Sequence, residues 1–212
     1  DDELEDDADM LSEITFWQKE VDQVAKVPIV SSTKKLVRAY GKESNMGNLF
    51  ADAIEAFDPR IDIAVVNSGA LRQDINPGTV TKGDLISAFP FPNTVVMTKL
   101  KGSQVVKVFN HAAGMTNGIL QVSKNAKYSF SPRNKAHEIW IKGKLLKNDD
   151  EYWIAAPNFV TQGGDGYWEF QNSIEYIDTG VLIVDAAEYF LQDMEVYEPK
   201  YEGRVVIIDS EI

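Results

Sequence analysis

Segments with the hydrophobic period of a helix and segments with that of a β-strand follow one another along this chain without strict alternation. Residues 27–37 read as two short strands joined by a turn at Ser31 and Ser32, and Thr81, with Asp84 three residues later, is the expected cap of a helix. We therefore expect an α+β fold in which helices pack on a mixed β-sheet. Other helices are predicted over residues 48–57, 103–113 and 184–191, and other strands over residues 61–66, 94–100, 128–131, 138–141, 152–156 and 204–208.

The first 26 residues differ in character from the rest. Residues 1–9 (DDELEDDAD) are so acidic that we expect a solvated, disordered tail. Apolar side chains spaced three and four apart predict an amphipathic helix over residues 10–25, and a lone helix of this kind often connects a domain to something upstream. We therefore divide the chain into an acidic tail (1–9), a connector helix (10–26) and a domain (27–212).

Charge limits the partners of this chain. Its 212 residues include 33 Asp and Glu but only 21 Lys and Arg, for a net charge of -12, and no Lys or Arg run forms a basic patch. Such a chain repels nucleic acid polymers and anionic membranes, whereas one or two arginines can still bind a small anion. No stretch predicts a membrane span. Because the chain begins at Asp1 and shows no signal peptide, we expect a mature segment or an excised domain.

Few residues in this chain suit covalent or metal chemistry. The absence of cysteine excludes disulfides, zinc–thiolate sites and a cysteine nucleophile. His111 and His137 lack a second ligand at metal-binding spacing, so we expect surface or core histidines. The chain has no P-loop and no G-x-S-x-G motif, and the S-x-x-K matches at residues 31–34 and 32–35 lack the companion motifs of a serine acyl enzyme.

Two loops could present side chains to a small molecule. In NSGALR (67–72), Arg72 emerges from a tight turn, and its guanidinium suits a phosphate or carboxylate. A structural turn with a surface arginine is the alternative. In FPFPN (89–93), prolines on both sides of Phe91 fix the backbone and could present the ring outward. The alternative there is a core phenylalanine.

A third loop, PNFVTQGGDGYW (157–168), combines three glycines with Phe159 and Asp165. Glycines allow a tight turn and the close approach of a ligand. Phe159 offers a flat apolar face, and Asp165 could accept hydrogen bonds from paired hydroxyls such as those of a ribose. The alternative is a glycine-rich turn in which Asp165 bonds to its own backbone.

Together, these loops resemble the C-terminal domain of the 5′-nucleotidase family, which includes bacterial periplasmic UDP-sugar hydrolases and animal ecto-5′-nucleotidase. The resemblance covers nearly all of residues 27–208. Six matching segments follow in order: ESNMGNLFADA (43–53), VVNSGALRQDI (65–75), GTVTKGDLISAFPFPNTVV (78–96), LKGSQVVKVF (100–109), PNFVTQGGDGY (157–167) and VYEPKYEGRV (196–205).

The resemblance implies a nucleotide site. In that family the base is stacked between two phenylalanine rings, whose positions match Phe91 and Phe159 here. Asp165 matches the aspartate that holds the ribose hydroxyls.

Four further residues match substrate-contacting positions of the family. Asn67 and Arg72 match the asparagine and arginine that reach the substrate from the loop after a strand. Asn93 and Gly118 match further positions that contact the base.

The resemblance also implies a missing partner. The family's N-terminal domain is a metallophosphoesterase whose two divalent metals activate a water. That domain is absent from this chain, so the resemblance implies no catalytic residue, no metal and no cofactor here, and an isolated chain that is inactive. The expected whole is a periplasmic or extracellular bacterial enzyme that hydrolyses nucleoside 5′-phosphates to nucleoside and phosphate.

One difference from the family's sequence leaves the identity of the substrate undecided. The family often has an arginine five residues before the asparagine that is Asn45 here, and this chain has Tyr40. If the segment is extended, Arg38 and Lys42 share a face with Tyr40, and either could supply the charge. Ser68 replaces a frequent glycine.

Two other functions remain open. One is hydrolysis of nucleotide sugars, dinucleotides or 2′,3′-cyclic nucleotides, and the other is a non-catalytic interaction module that kept the fold. The presence of both phenylalanines, the aspartate, the asparagine and one arginine argues against such a module.

Overall fold

A computed structural model of the chain describes residues 7–115, 118–131 and 135–208. Residues 1–6 of the expected acidic tail lie outside the described residues, and so does the side chain of His137. The division into tail, connector helix and domain therefore stays a prediction.

Within these residues the chain forms six α-helices and twelve β-strands. The helices are α1 (Ala8–Ala25), α2 (Asn45–Ala56), α3 (Lys82–Ala88), α4 (Gly102–Ala113), α5 (Asn158–Thr161) and α6 (Ile183–Gln192). The strands are β1 (Pro28–Ser32), β2 (Ile63–Asn67), β3 (Gly78–Thr81), β4 (Thr94–Lys101), β5 (Leu120–Val122), β6 (Ala126–Ser131), β7 (Lys135–Ile141), β8 (Lys144–Leu145), β9 (Glu151–Pro157), β10 (Glu175–Leu182), β11 (Val196–Tyr197) and β12 (Val205–Ile207).

The described strands form one central sheet and two smaller ones. The central sheet has the order β10-β4-β9-β2-β5, in which β2 and β9 are parallel and the other neighbours are antiparallel. The smaller sheets have the orders β11-β1-β3 and β12-β6-β7-β8. The mixed sheet with its packed helices confirms the expected α+β fold.

Both faces of the central sheet are buried, and β2 shows why its sequence is continuously apolar. Ile63 and Val65 face one hydrophobic core, together with α4 and the β6–β7 hairpin. Ala64 and Val66 face a second core, together with α2, α3 and α6. Because successive side chains of a strand point to opposite faces, a strand between two cores carries no polar alternation.

The prediction of two strands over residues 27–37 is wrong in part. Only β1 forms a strand there, between β3 and β11, and Leu36 makes a single bridge to Ile75. The side chain of Asn45 takes the place of a partner strand. Its amide oxygen accepts from the backbone N–H of Val37 at 2.7 Å, and its amide nitrogen donates to the carbonyl of Lys35 at 3.0 Å.

The expected cap of α3 is confirmed. The side chain of Thr81 accepts from the backbone N–H of Asp84, and the carboxylate of Asp84 accepts from the backbone N–H of Thr81. This reciprocal pair satisfies two N–H groups that a helix start would otherwise leave unbonded. It fixes where α3 begins, and α3 leads into the loop that carries Phe91.

A buried ion pair ties the last strand to α2. Arg204 is only 4% exposed, and its two terminal guanidinium nitrogens lie 2.6 Å and 2.8 Å from the two carboxylate oxygens of Asp52. Glu43, just before α2, accepts from the backbone N–H groups of Glu202 and Arg204. The segment leading into β12 is therefore fixed by side chains that lie far earlier in the chain.

Replacing Arg204 with methionine tests this pair. We expect the Arg204→Met variant to lose about 3–5 kcal/mol of unfolding free energy, because the carboxylate of Asp52 stays buried without its cation. Urea denaturation measures the loss. The matched control is Arg60→Met, since Arg60 pairs with Asp58 at the surface and is mostly exposed. Equal stability of the two variants would contradict the role of the buried pair.

Candidate functional site

Three loops meet at one edge of the central sheet because of how its strands are paired. The parallel strands β2 and β9 both end at this edge, at Asn67 and Pro157. The antiparallel strand β4 begins there at Thr94, beside the end of β9. The loops that follow β2 and β9 and the loop that precedes β4 are thereby brought together. A cleft of about 620 Å³ opens between them, a size usual for small-molecule sites.

Six of the seven residues predicted from the sequence line this cleft. Tyr40, Gly69, Ala70 and Pro92 complete its walls. The seventh, Gly118, is not among the lining residues. The six are Asn67, Arg72, Phe91, Asn93, Phe159 and Asp165.

Phe91 and Phe159 are unusually exposed for phenylalanines inside a cleft, at 36% and 44%. Phe91 packs edge-to-face on the buried Phe89, with ring centroids 6.1 Å apart. Phe159 lies against Gly164, where an added Cβ would come within 2.5 Å of the main-chain oxygen of Phe159 and 2.6 Å of its ring. Both rings are thus supported by the protein and still present apolar surface to the cleft, which is typical of ligand contacts.

Asn67 and Asp165 form a polar pair in the cleft. The amide nitrogen of Asn67 donates to a carboxylate oxygen of Asp165 at 3.2 Å. Asn67 is only 7% exposed, and its amide oxygen has no hydrogen-bond partner within the described part of the chain. A buried acceptor without a partner is costly unless a ligand or water supplies a donor. The carboxylate of Asp165 is the acceptor that this pair can present to hydroxyl or N–H groups of a ligand.

The loop that carries Asp165 has an unusual backbone. Asp165 has a φ of 53°, and Gly163 and Gly166 have φ values of 92° and 85°. Among the described residues, the carboxylate of Asp165 accepts its hydrogen bond from Asn67 and not from its own backbone. The Asx-type turn considered as the alternative is thus not formed. Burial, and secondarily the nearby charge of Asp165, raise the pKa of Tyr167, which follows this loop.

Arg72 and Asn93 reach the cleft from neighbouring loops. Arg72 is exposed, and its guanidinium carbon lies 5.4 Å from the centroid of the Phe91 ring. The amide nitrogen of Asn93 donates to the amide oxygen of Asn158 at 2.7 Å. Asn158 was not predicted from the sequence, although it directly precedes Phe159.

Gly118 lies behind the cleft. It has a φ of 138°, and a Cβ added to it would come within 3.1 Å of the backbone nitrogen of Gly69 and of the Cβ of Ser68. Its position supports the turn that follows β2. A contact of Gly118 with the base stays a prediction.

The segment around Tyr40 is bent at residues 40–42 and is not a regular strand. Arg38 donates to the hydroxyl of Tyr40 at 2.8 Å, and Tyr40 lines the cleft. Lys42 lines a separate groove with Tyr201 and Val205. Arg38 is thus the nearer of the two cations considered as a replacement for the family's arginine, and its role stays a prediction.

His111 is not among the residues that line the cleft, but it contacts the loop that carries Asp165. It lies half-buried in the last turn of α4, with its Nε2 atom 2.8 Å from the main-chain oxygen of Asp165. The contact joins residues 54 positions apart. No local sequence pattern carries such information.

Among residues 7–115, 118–131 and 135–208, no group of three or more His, Asp or Glu side chains could hold a metal ion. Within the same ranges, no helix has both the length and the apolar character needed to cross a bilayer.

Comparison with known proteins gives a consistent result. The model of the family described as "5′-nucleotidase, C-terminal domain" matches residues 23–172. Human 5′-nucleotidase is 30% identical over 191 residues, covering 77% of this chain and 33% of that protein. Protein UshA of Escherichia coli is 30% identical over 166 residues, covering 76% of this chain and 30% of that protein.

Solved structures share the fold. A 5′-nucleotidase precursor from Thermus thermophilus aligns with a TM-score of 0.86 and 24% identity over 94% of this chain and 43% of that one. The NAD nucleotidase of Haemophilus influenzae aligns with a TM-score of 0.80 and 20% identity over 97% of this chain and 42% of that one. This chain thus spans less than half the length of each of these relatives and structures.

The contact between Gly164 and Phe159 can be tested with one methyl group. We expect Gly164→Ala to displace the Phe159 ring and to lower the unfolding free energy by about 1–3 kcal/mol, because the new Cβ overlaps both the main-chain oxygen and the ring of Phe159. NMR shifts of the ring and urea denaturation measure the two effects. Gly41→Ala is the control, since a Cβ there meets no heavy atom within 4 Å. An unmoved Phe159 ring would contradict the proposed support.

Proposed function

Since the chain belongs to the 5′-nucleotidase C-terminal domain family, we propose that it is the substrate-binding part of a longer nucleotide hydrolase. It binds the base and ribose of nucleoside 5′-phosphates, and an upstream domain of the same polypeptide hydrolyses them to nucleoside and phosphate. The observation that carries this proposal is the joint placement of two exposed phenylalanines and one carboxylate–amide pair in a single cleft.

The base is proposed to stack on Phe91 and Phe159. Both rings expose apolar surface to the cleft and rest on protein behind them. Stacking of a base on an aromatic ring contributes about 1–3 kcal/mol and accepts any base, since every base has a π-face. The side-chain amide of Asn93 lines the cleft and suits the polar rim of a base, and Asn158 holds this amide through a hydrogen bond.

The ribose is proposed to bind at Asp165 and Asn67. Asn67 orients the carboxylate of Asp165 through its amide nitrogen. The two oxygens of that carboxylate only accept hydrogen bonds, and the two hydroxyls of a ribose can donate to them. This supports a ribonucleoside over a sugar that lacks those hydroxyls.

Arg72 is proposed to hold the phosphate end. Its guanidinium is exposed, carries a permanent charge and presents several N–H donors in one plane, which suits a phosphate. The guanidinium lies 5.4 Å from the centroid of the Phe91 ring, so the proposed phosphate site is next to the proposed base site.

The hydrolytic step is assigned to the upstream domain, where two divalent metals are expected. The described part of this chain offers no cluster of ligands for them. None of the residues of α1 is buried, and Met10, Ile14, Trp17, Val21 and Val24 are each more than half exposed. Apolar surface of this extent supports a connector role for α1. The periplasmic or extracellular location stays part of this proposal.

Removal of either ring tests the stacking. We expect Phe91→Ala and Phe159→Ala each to weaken adenosine and AMP binding by about 5- to 150-fold, the loss of one stacked face. Isothermal titration calorimetry measures the affinities. Phe57→Ala is the matched control, because Phe57 is 39% exposed but does not line the cleft.

Unchanged affinity in both cleft variants would refute the stacking. If the chain itself binds neither ligand, the same titration on the longer polypeptide decides between two outcomes. Binding there means that the upstream domain completes the site, and no binding there refutes the proposed function.

The division of labour is tested by phosphate release. We expect this chain not to hydrolyse AMP in the presence of Mn²⁺ or Zn²⁺, because it lacks the domain to which the metals are assigned. A Phe91→Ala, Phe159→Ala double variant purified in the same way controls for contaminating phosphatases. Turnover by the original chain that disappears in the double variant would overturn the assignment.

A further inference from the structure

His111 is not among the residues that line the cleft, but it contacts the main chain of Asp165, which does line it. It lies in the last turn of α4, half-buried, with Nε2 2.8 Å from the main-chain oxygen of Asp165. A carbonyl oxygen can only accept a hydrogen bond, so the Nε2 atom must carry the proton and donate. The tautomer of the ring is therefore fixed by the chemistry of its partner.

The backbone that receives this bond needs external support. Asp165 holds a left-handed conformation between Gly163 and Gly166, which are left-handed as well. A non-glycine residue keeps such a conformation only where its surroundings impose it. Two hydrogen bonds form inside the loop, from Gly166 to the carbonyl of Gly163 at 3.1 Å and from Tyr167 to that of Gly164 at 3.2 Å. In the described ranges, His111 is the only side chain that hydrogen-bonds to the backbone of residues 163–166.

The imidazole ring is itself held in place. It meets the ring of Tyr167 edge-on, with centroids 4.7 Å apart and an interplanar angle of 84°. A Cβ added to Gly166 would come within 3.0 Å of the Cε1 and Nε2 atoms of His111. The backbone of Gly166 thus packs against the imidazole ring beside its Nε2 atom.

Asp165 is consequently held at two points. His111 bonds its main-chain oxygen, and Asn67 bonds its carboxylate. Asn67 alone fixes only the tip of the side chain. The His111 bond fixes the point from which that side chain projects.

We propose that His111 is a positioning residue that sets the site's selectivity for ribose hydroxyls by holding the main chain of Asp165. The proposal rests on the proposed function, in which Asp165 binds those hydroxyls. The role is carried by the Nε2–H donor rather than by the bulk of the ring.

Two variants with amide side chains, His111→Gln and His111→Asn, distinguish the effect of the Nε2–H donor from the effect of the ring's packing. The side-chain nitrogen of glutamine can take the position of Nε2, whereas that of asparagine is one methylene shorter and falls short of it. Calorimetric titration of the chain with adenosine and 2′,3′-dideoxyadenosine measures the selectivity in each variant. Lys107→Gln is the control on the same helix, because Lys107 is exposed and pairs with Glu169 at the surface.

The original chain and Lys107→Gln should prefer adenosine by about tenfold or more, the value of hydrogen bonds to a charged group. His111→Gln should keep most of that preference. His111→Asn should lose most of it while its affinity for dideoxyadenosine changes by less than about twofold, because that ligand lacks the 2′ and 3′ hydroxyls that Asp165 is proposed to bind. NMR of the imidazole nitrogens should show the proton on Nε2 in the free chain.

Several outcomes would overturn the proposal. Full selectivity in His111→Asn would show that Asp165 is held without His111. Equal losses in the Gln and Asn variants would assign the effect to the packing of the ring on Tyr167. A proton on Nδ1 would remove the donor. If the original chain binds both nucleosides equally, the ribose assignment of Asp165 fails first, and this inference falls with it.

Discussion

The parallel pairing of β2 with β9 is the constraint on which the rest of the structure depends. It lies inside an otherwise antiparallel sheet and places the C-terminal ends of two strands, which are far apart in the sequence, at the same edge of the sheet. Residues 67–72 and 158–166 therefore face each other across the cleft, although nearly a hundred residues separate Asn67 from Asp165. Because both sheet faces are covered by hydrophobic cores, this edge is where polar and aromatic side chains can meet a ligand.

Much of the fold can be predicted from hydrophobic period and capping residues. The buried strand β2, the amphipathic α4 and the capped start of α3 all carry local signals. Strand β10 was missed because its sequence, EYIDTGVL, contains aspartate and glycine, which disfavour strands, and because Gly180 has a φ of 69° beside a register shift. Pairing with β4 overrides the local preference, and no local pattern reports that pairing.

The candidate site, like the fold, can be predicted only in part from local sequence. Phe91, Phe159 and Asp165 were found because each lies in a loop whose composition is unusual on its own and whose order along the chain matches a family. Asn158 and His111 could not be found in that way, since an asparagine beside a strand end and a histidine on a helix are common. Their contacts with Asn93 and with the main chain of Asp165 exist only once the sheet is assembled.

The pairing of Arg204 with Asp52 has a consequence for how the chain is made. The two residues are 152 positions apart, and the backbone next to Arg204 is also bonded by Glu43. The 152 positions between them must therefore be translated before Asp52 can meet its partner. Contacts of such sequence separation slow folding. Burial of the Asp52 carboxylate before Arg204 is available would leave it without its cation, so we expect this part of the core to close only after β12 has been translated.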